Sequence, residues 1–156
     1  MVTSALGVIL QELGRSSVIP ISDLHPDSNN SCLIRLKGGV EVQIEQDKSG
    51  QNLVIGCDLG DLPPGRYRED LFYEALKSNG MPHPRFGTFA YSKRTDHLIL
   101  YETMSMQDLT GDKVADFLVK FVEKAFTWKT AIKSNEIPTL SNVRTSKFGG
   151  IFGLKP

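Results

Sequence analysis

Three histidines, two cysteines and a cluster of carboxylates are the side chains with the most chemistry to offer in this sequence. His25, His83 and His97 each fall in a predicted loop or turn, far apart and without the short spacing of a metal-binding pair. Asp58, Asp61, Glu69 and Asp70 are of the type that supplies paired carboxylates for acid–base work or oxygen ligands for a divalent cation. They also flank a predicted helix start, where the helix dipole favours negative charge, and that reading is preferred. Cys32 and Cys57 stand in apolar, strand-like stretches and read as buried small hydrophobes, since two thiols make no disulfide framework. "FGGIFG" (148–153) has the glycines of a phosphate loop but follows no predicted strand and opens no helix. No Gly-x-Ser-x-Gly, Walker loop, His-Glu-x-x-His or Cys-x-x-Cys occurs. The expectation is a protein that is not an enzyme and uses no metal or cofactor.

Length and charge narrow the class. The 156 residues suit one domain with a real core. Eighteen basic and eighteen acidic residues cancel, which argues against a general nucleic-acid binder, and Lys93-Arg94 reads as a solvated turn. The charge is unevenly spread: beyond Glu136 there are only Arg144, Lys147 and Lys155, so residues 1–136 hold 15 basic against 18 acidic groups, net −3. No apolar run is long enough for a membrane span. The opening Met-Val-Thr-Ser lacks the basic and apolar regions of a signal peptide, which makes the cytoplasm the expected compartment.

The elements that must position these residues follow from periodicity. Val2, Leu6, Ile9, Leu10 and Leu13 recur at helical spacing, with Gly14 as the expected stop. Residues 15–30 collect proline, Asp and Asn and read as a loop. From Ser31 the period is two: a strand with Cys32, Ile34 and Leu36, a Gly38-Gly39 turn, and a strand with Val40, Val42 and Ile44. After Asp47–Gly50 a third strand carries Leu53 to Cys57, and Pro63-Pro64 ends it. A second helix spans 66–79, with Tyr67, Leu71, Ala75 and Asn79 at i+4 steps, Phe72 and Leu76 widening the stripe, and Gly80 as a left-handed stop. Phe86–Tyr91 and Leu98–Thr103 form a second hairpin. Thr110 caps a long third helix, with Leu109 and Val114 as a hydrophobic staple. Residues 137–156 keep no period and read as a basic, Gly/Pro-containing tail after a domain of residues 1–136.

The order helix, three-stranded meander, helix, hairpin, helix defines an α+β fold with helices packed on a twisted antiparallel sheet. The broad apolar stripes exceed what such a sheet readily hides in one chain, and a symmetric dimer is the economical solution; a broad stripe equally describes plain core.

The ordered set of segments resembles the class I type III secretion chaperones, the CesT-like or Tir chaperone family. The matching stretches are "LGVILQELG", "SNNSCLIRL" into "VEVQIE", "LVIGCDLGDLP", "RYREDLFYEALKSNG", "FGTFAYSKRTDHLILYETM" and "FLVKFVEKAFTWK", running across residues 1–134. The resemblance implies a cytoplasmic bacterial dimer that holds an unfolded N-terminal segment of a secreted effector and presents it to the secretion apparatus. It implies no nucleic-acid partner and no membrane insertion. By position, it assigns the dimer seam to Leu71, Phe72, Ala75, Leu76, Phe89 and Tyr91, and the effector groove to Leu6, Ile9, Leu13, Leu33, Val42, Ile44 and Val54. The partner across the seam is a second copy or another small chaperone. Two competing readings stand beside it: an enzyme or small-molecule binder with a pocket near Asp58, Asp61 and His83, and a regulatory or structural dimer of the same fold.

Overall fold

The computed structural model describes residues 4–16 and 24–138. Helix α1 (Ala5–Arg15) is followed by strand β1 (Ser31–Arg35), a 3-10 turn (Lys37–Gly39), β2 (Glu41–Gln46) and β3 (Asn52–Asp61). Then come α2 (Arg66–Asn79), β4 (Thr88–Ser92), β5 (His97–Ser105) and α3 (Gly111–Lys133). The strands form one antiparallel sheet in the order β1-β2-β3-β5-β4. This is the α+β arrangement expected from the periods, with the elements in the expected order.

Register shows why the pattern closes a core. Ile34, Val42, Cys57, Leu100 and Phe89 are successive cross-strand partners, and all five are buried. They make one apolar row across the full width of the sheet, because side chains of paired residues share a face. Helices α1 and α3 cover that face: Leu6, Ile9, Leu10 and Leu13 meet Val114, Leu118 and Phe121 in a single buried cluster. Trp128 packs on Phe89 with ring centroids 4.2 Å apart and the planes tilted by 42°.

The start of α3 is pinned to α1. Thr110 Oγ1 accepts the Lys113 N–H at 3.3 Å, as the cap assignment requires. Gly111 N–H, one of the first-turn donors a helix cannot satisfy itself, donates to Glu12 Oε2 at 2.6 Å. A methyl at Gly111 would fall on Glu12 Cβ and lie within 2.6 Å of Leu13 N.

Several boundaries differ from expectation. Helix α1 runs through Gly14 to Arg15 and ends at Ser16, whose N–H bonds Leu13 O. Gly80 is not left-handed (φ −80°, ψ −6°); α2 ends by a tightened turn in which the Gly80 N–H reaches the carbonyls of Leu76 and Lys77. Strand β3 continues past Cys57 to Asp61 through a bulge between Asp58 and Gly60, where Gly60 takes φ +123°. Strand β4 begins at Thr88, not Phe86, because Phe86 (φ +55°) and Gly87 (φ +119°) turn the chain off the strand line. A Cβ at Gly87 would meet Leu100 Cδ1 at 2.7 Å, so that close approach needs glycine. Val2 and the segment 139–156 lie outside the described residues. Ile137, assigned to the tail, packs against the core, and Glu136 O accepts the Tyr67 hydroxyl at 2.8 Å.

Candidate functional site

The reactive side chains are not gathered into a site. Asp58 pairs with His97 Nδ1 at 2.7 Å at the beginning of β5, whereas His83 lines a cleft with Glu102 and Met104 near the end of that strand. The pocket of Asp58, Asp61 and His83 is therefore not formed. Among the described residues no group of three or more His, Cys, Asp or Glu could hold a metal ion. Cys32 and Cys57 are free and buried. Burial pushes the Cys57 thiol up to about 11 and the Cys32 thiol upward as well, which leaves both as packing groups.

Among the described residues no helix is long and apolar enough to cross a membrane.

The proposed seam is split between core and surface. Leu71, Ala75 and Phe89 are buried within the chain and hold α2 against β4. Leu76 (69% exposed) and Tyr73 (62% exposed) point away from the core, Phe72 is half-buried, and Tyr91 is exposed. Phe72, Leu76, Phe89 and Tyr91 line a groove of about 140 Å³ between α2 and β4. Its rim is fixed by local bonds. Arg68 Nη1 donates to the Tyr91 hydroxyl at 3.1 Å, that hydroxyl in turn donates to Asp96, and Phe72 meets the Tyr91 ring edge-on at 5.1 Å. The hydrogen bond to Asp96, above all, raises the Tyr91 pKa.

Asn79 has a role that an apolar-stripe reading misses. Its Nδ2 donates to Phe89 O at 2.9 Å and its Oδ1 accepts the Phe89 N–H at 2.8 Å. The amide thus makes the two bonds a neighbouring strand would make and closes the β4 edge at that residue. An amide ending a helix just before an edge strand is the sequence signal.

The seven groove candidates occupy two opposite surfaces. Leu6, Ile9, Leu13, Val42 and Ile44 are at most 4% exposed inside the α1–α3–sheet core and leave no side-chain surface for a client. Leu33 pairs with Gln43, and Val54 with Glu45, so the pleat turns both to the face opposite the core, which carries no helix among the described residues. There Leu33 is 49% exposed, and Leu33, Gln43, Gly56 and Tyr101 are successive cross-strand partners. Gly56 has neither positive φ nor any atom within 4 Å of a built Cβ. The open face thus has a notch between Gln43 and exposed Tyr101. On β1, the outer edge is folded over, among the described residues, at Ser31, whose N–H donates to Asp27 Oδ1 at 3.0 Å and whose carbonyl accepts the Asp27 N–H at 2.7 Å. The Ser31 and Asn29 N–H groups hold the Asp27 carboxyl below its usual range.

Lys124 secures the loop before β4. Its Nζ donates to Arg85 O at 2.9 Å and Gly87 O at 3.2 Å, above the Phe89 ring. Burial, with Arg85 close by, pushes its pKa down to about 8 from 10.5. Between these values the unfolded chain holds a proton that the folded chain has lost, so this residue makes the fold more stable as pH rises. Cys57 acts oppositely between 9.0 and about 11, where the fold keeps a proton the unfolded chain loses. The Lys124 contribution is therefore cleanest between pH about 8 and 9. Denaturant midpoints of wild type and Lys124→Met should draw apart in the wild type's favour over that window; a constant difference would refute the assignment.

A family model, the Tir chaperone protein (CesT) family, matches residues 8–129, which include every strand and all of α2. The chain belongs to this family of chaperones. No curated protein sequence matches the chain. Solved structures share its fold at low identity. The HopA1–SchA chaperone–effector complex aligns with TM-score 0.66 and 13% identity, covering 83% of this chain and 96% of that one. The Yersinia pestis type III secretion chaperone SycH, solved with a stable fragment of YscM2, aligns with TM-score 0.61 and 20% identity over 81% and 99% of the two chains. The ExsC–ExsE complex gives TM-score 0.61 and 17% identity over 83% and 94%.

Proposed function

We propose that this protein is a type III secretion chaperone that binds a non-globular N-terminal segment of one or more secreted effectors and keeps it competent for export. The observation that carries this reading is the family match over residues 8–129. Similar folds solved as a chaperone–effector complex and as SycH with a fragment of another protein support it. The protein works in the bacterial cytoplasm, as a dimer and without catalysis or cofactor.

The client surface is the open sheet face and the β1 edge. Leu33 and Val54, with Tyr101 and the notch at Gly56, receive alternate apolar side chains, while the outward backbone of β1 beyond Ser31 offers sequence-tolerant hydrogen bonds. Leu6, Ile9, Leu13, Val42 and Ile44 support that sheet from behind. The seam is made by Phe72, Leu76 and Tyr91, seated on Leu71, Ala75 and Phe89, against a second copy or a second small chaperone.

Co-expression with secreted proteins of the same cell, followed by native light scattering and limited proteolysis, tests the reading. The expected result is a species containing two copies of the 17.3 kDa chain, or one copy with another small chaperone, that shields a client segment near its N-terminus. A monomer that shields nothing would overturn it.

A further inference from the structure

Strand β5 is longer than the strand beside it. Its ladder with β4 starts at Thr88 opposite Tyr101, while its ladder with β3 continues through Thr103 and Ser105. Among the described residues, 102–105 therefore have β3 on one side and no strand on the other. The hydrogen-bond phase of this free edge follows from Asn79. Because the Phe89 N–H and carbonyl both point outward to that amide, Phe89 and Leu100 are a non-hydrogen-bonded pair. Alternation then turns the backbone groups of Tyr101, Thr103 and Ser105 away from β3. Consistent with this, the Thr103 N–H is met by its neighbour's carboxylate, Glu102 Oε1, at 3.3 Å. The gap exists because positive φ at Phe86 and Gly87 diverts the chain just where β4 would have met Thr103.

Beside this edge lies a cleft of about 250 Å³ lined by His83, Arg85, Phe86, Glu102, Met104 and Phe117. Arg85 Nη1 donates to the carbonyls of Asn79 and Met81, but its Nε–H is buried with no hydrogen-bond partner among the described residues. An unpaired buried donor on a cation is costly. Lys124, held by the Arg85 and Gly87 carbonyls behind the same loop, is close enough to feel both Arg85 and Glu102, so this neighbourhood holds two cations and one carboxylate. The local charge favours an incoming acid.

We propose that this cleft takes an extended, acid-bearing strand of the client, paired to the β5 backbone at Thr103 and Ser105 with its carboxylate on Arg85. The proposal rests on the reading of the protein as a holder of extended clients and adds a second docking edge, across the sheet from β1. The client strand replaces Glu102 at the Thr103 N–H, and its apolar neighbours rest on Phe86, Met104 and Phe117.

The test is titration of the isotope-labelled protein with a capped seven-residue peptide, alternating Thr and Val around a central Glu, and with its Lys-centred counterpart. The Thr103 and Ser105 amides and the Arg85 Nε–H should shift with the Glu peptide, and the Lys peptide should bind about tenfold more weakly, as a lost charge-assisted bond predicts. Arg85→Met should bring the two peptides to equal affinity. Thr103→Pro, which deletes the edge N–H on the side away from β3, should abolish both; Arg85→Met serves alone if that variant does not fold. Shifts confined to the β1 edge, or equal affinity of the two peptides for wild type, would overturn the proposal. Client protection separates the two levels. A wild-type protein that shields no client overturns the functional reading and this inference with it. Full protection by Arg85→Met, with Thr103 unmoved by peptide, overturns the cleft alone.

Discussion

Gly111→Ala should cost about 3 kcal/mol of stability, the upper part of the range for overpacking a close contact, and lower Tm by roughly 6–12 °C for a chain of this size. Neither a left-handed φ nor a turn requires glycine here. Gly111 opens α3 where α3 crosses α1, and its missing side chain lets the two backbones touch. A Cβ would meet Glu12 Cβ and stand 2.6 Å from Leu13 N, atoms that belong to a helix and cannot step aside individually. Any retreat of α3 also breaks the 2.6 Å bond from the Gly111 N–H to Glu12 Oε2, and it loosens the contact of Leu6, Ile9 and Leu13 with Val114, Leu118 and Phe121. Gly56→Ala is the matched control. With no positive φ and open space around its built Cβ, it should leave stability unchanged or raise it by up to about 1 kcal/mol, since glycine weakens a strand. Denaturant unfolding of the two variants beside wild type measures both. A Gly111→Ala protein as stable as wild type would mean that the helices do not cross this closely.

Gly111 also illustrates where sequence reading stops. Thr110 as N-cap, with Val114 as the first core residue, was legible because capping and helical period are local. The reason a glycine follows the cap is a contact with residue 12, about a hundred positions away, and local pattern carries no trace of it. The sheet repeats the lesson. "Cys32-Leu33-Ile34" is apolar at both parities, so alternation alone could not say which side chains enter the core. Pairing of Leu33 with Gln43 and of Ile34 with Val42 decides it, and that register sent the expected groove residues to opposite faces. By residue type Gly14 and Gly80 both read as stops, yet neither is a left-handed stop: α1 passes through Gly14, and α2 ends in a tightened turn at Gly80. The β3 bulge was hidden for a different reason. It depends on Gly60 taking positive φ while its N–H bonds Asp58 Oδ1 at 2.9 Å, and an acidic run before two prolines reads equally well as a turn.

Leu76→Asp should leave the folded monomer intact and abolish dimerisation at ordinary working concentrations. On α2, Leu71 and Leu76 are five residues apart, about 140° around the helix axis, so one apolar stripe cannot turn both inward. Leu71 is fully buried and Leu76 is 69% exposed. An aspartate at 76 in the isolated chain is solvated and costs only a few tenths of a kcal/mol in helix propensity. Covered by a partner's apolar surface it becomes a buried charge without a counter-ion, at roughly 3–5 kcal/mol, which weakens association by about two to four orders of magnitude. Leu71→Asp differs in kind, because it buries the charge within the chain's own core and should unfold it. Circular dichroism with light scattering distinguishes the cases. Leu76→Asp is expected to keep native helicity at the mass of one chain, and Leu71→Asp to lose helicity altogether. The same result is expected whether the twin is a second copy or another small chaperone, since the proposed seam sets the same exposed leucine against either. A folded Leu76→Asp protein that still scattered as a dimer would remove α2 from the seam, and the groove bounded by Phe72 and Tyr91 would then belong to a client rather than to a partner chaperone.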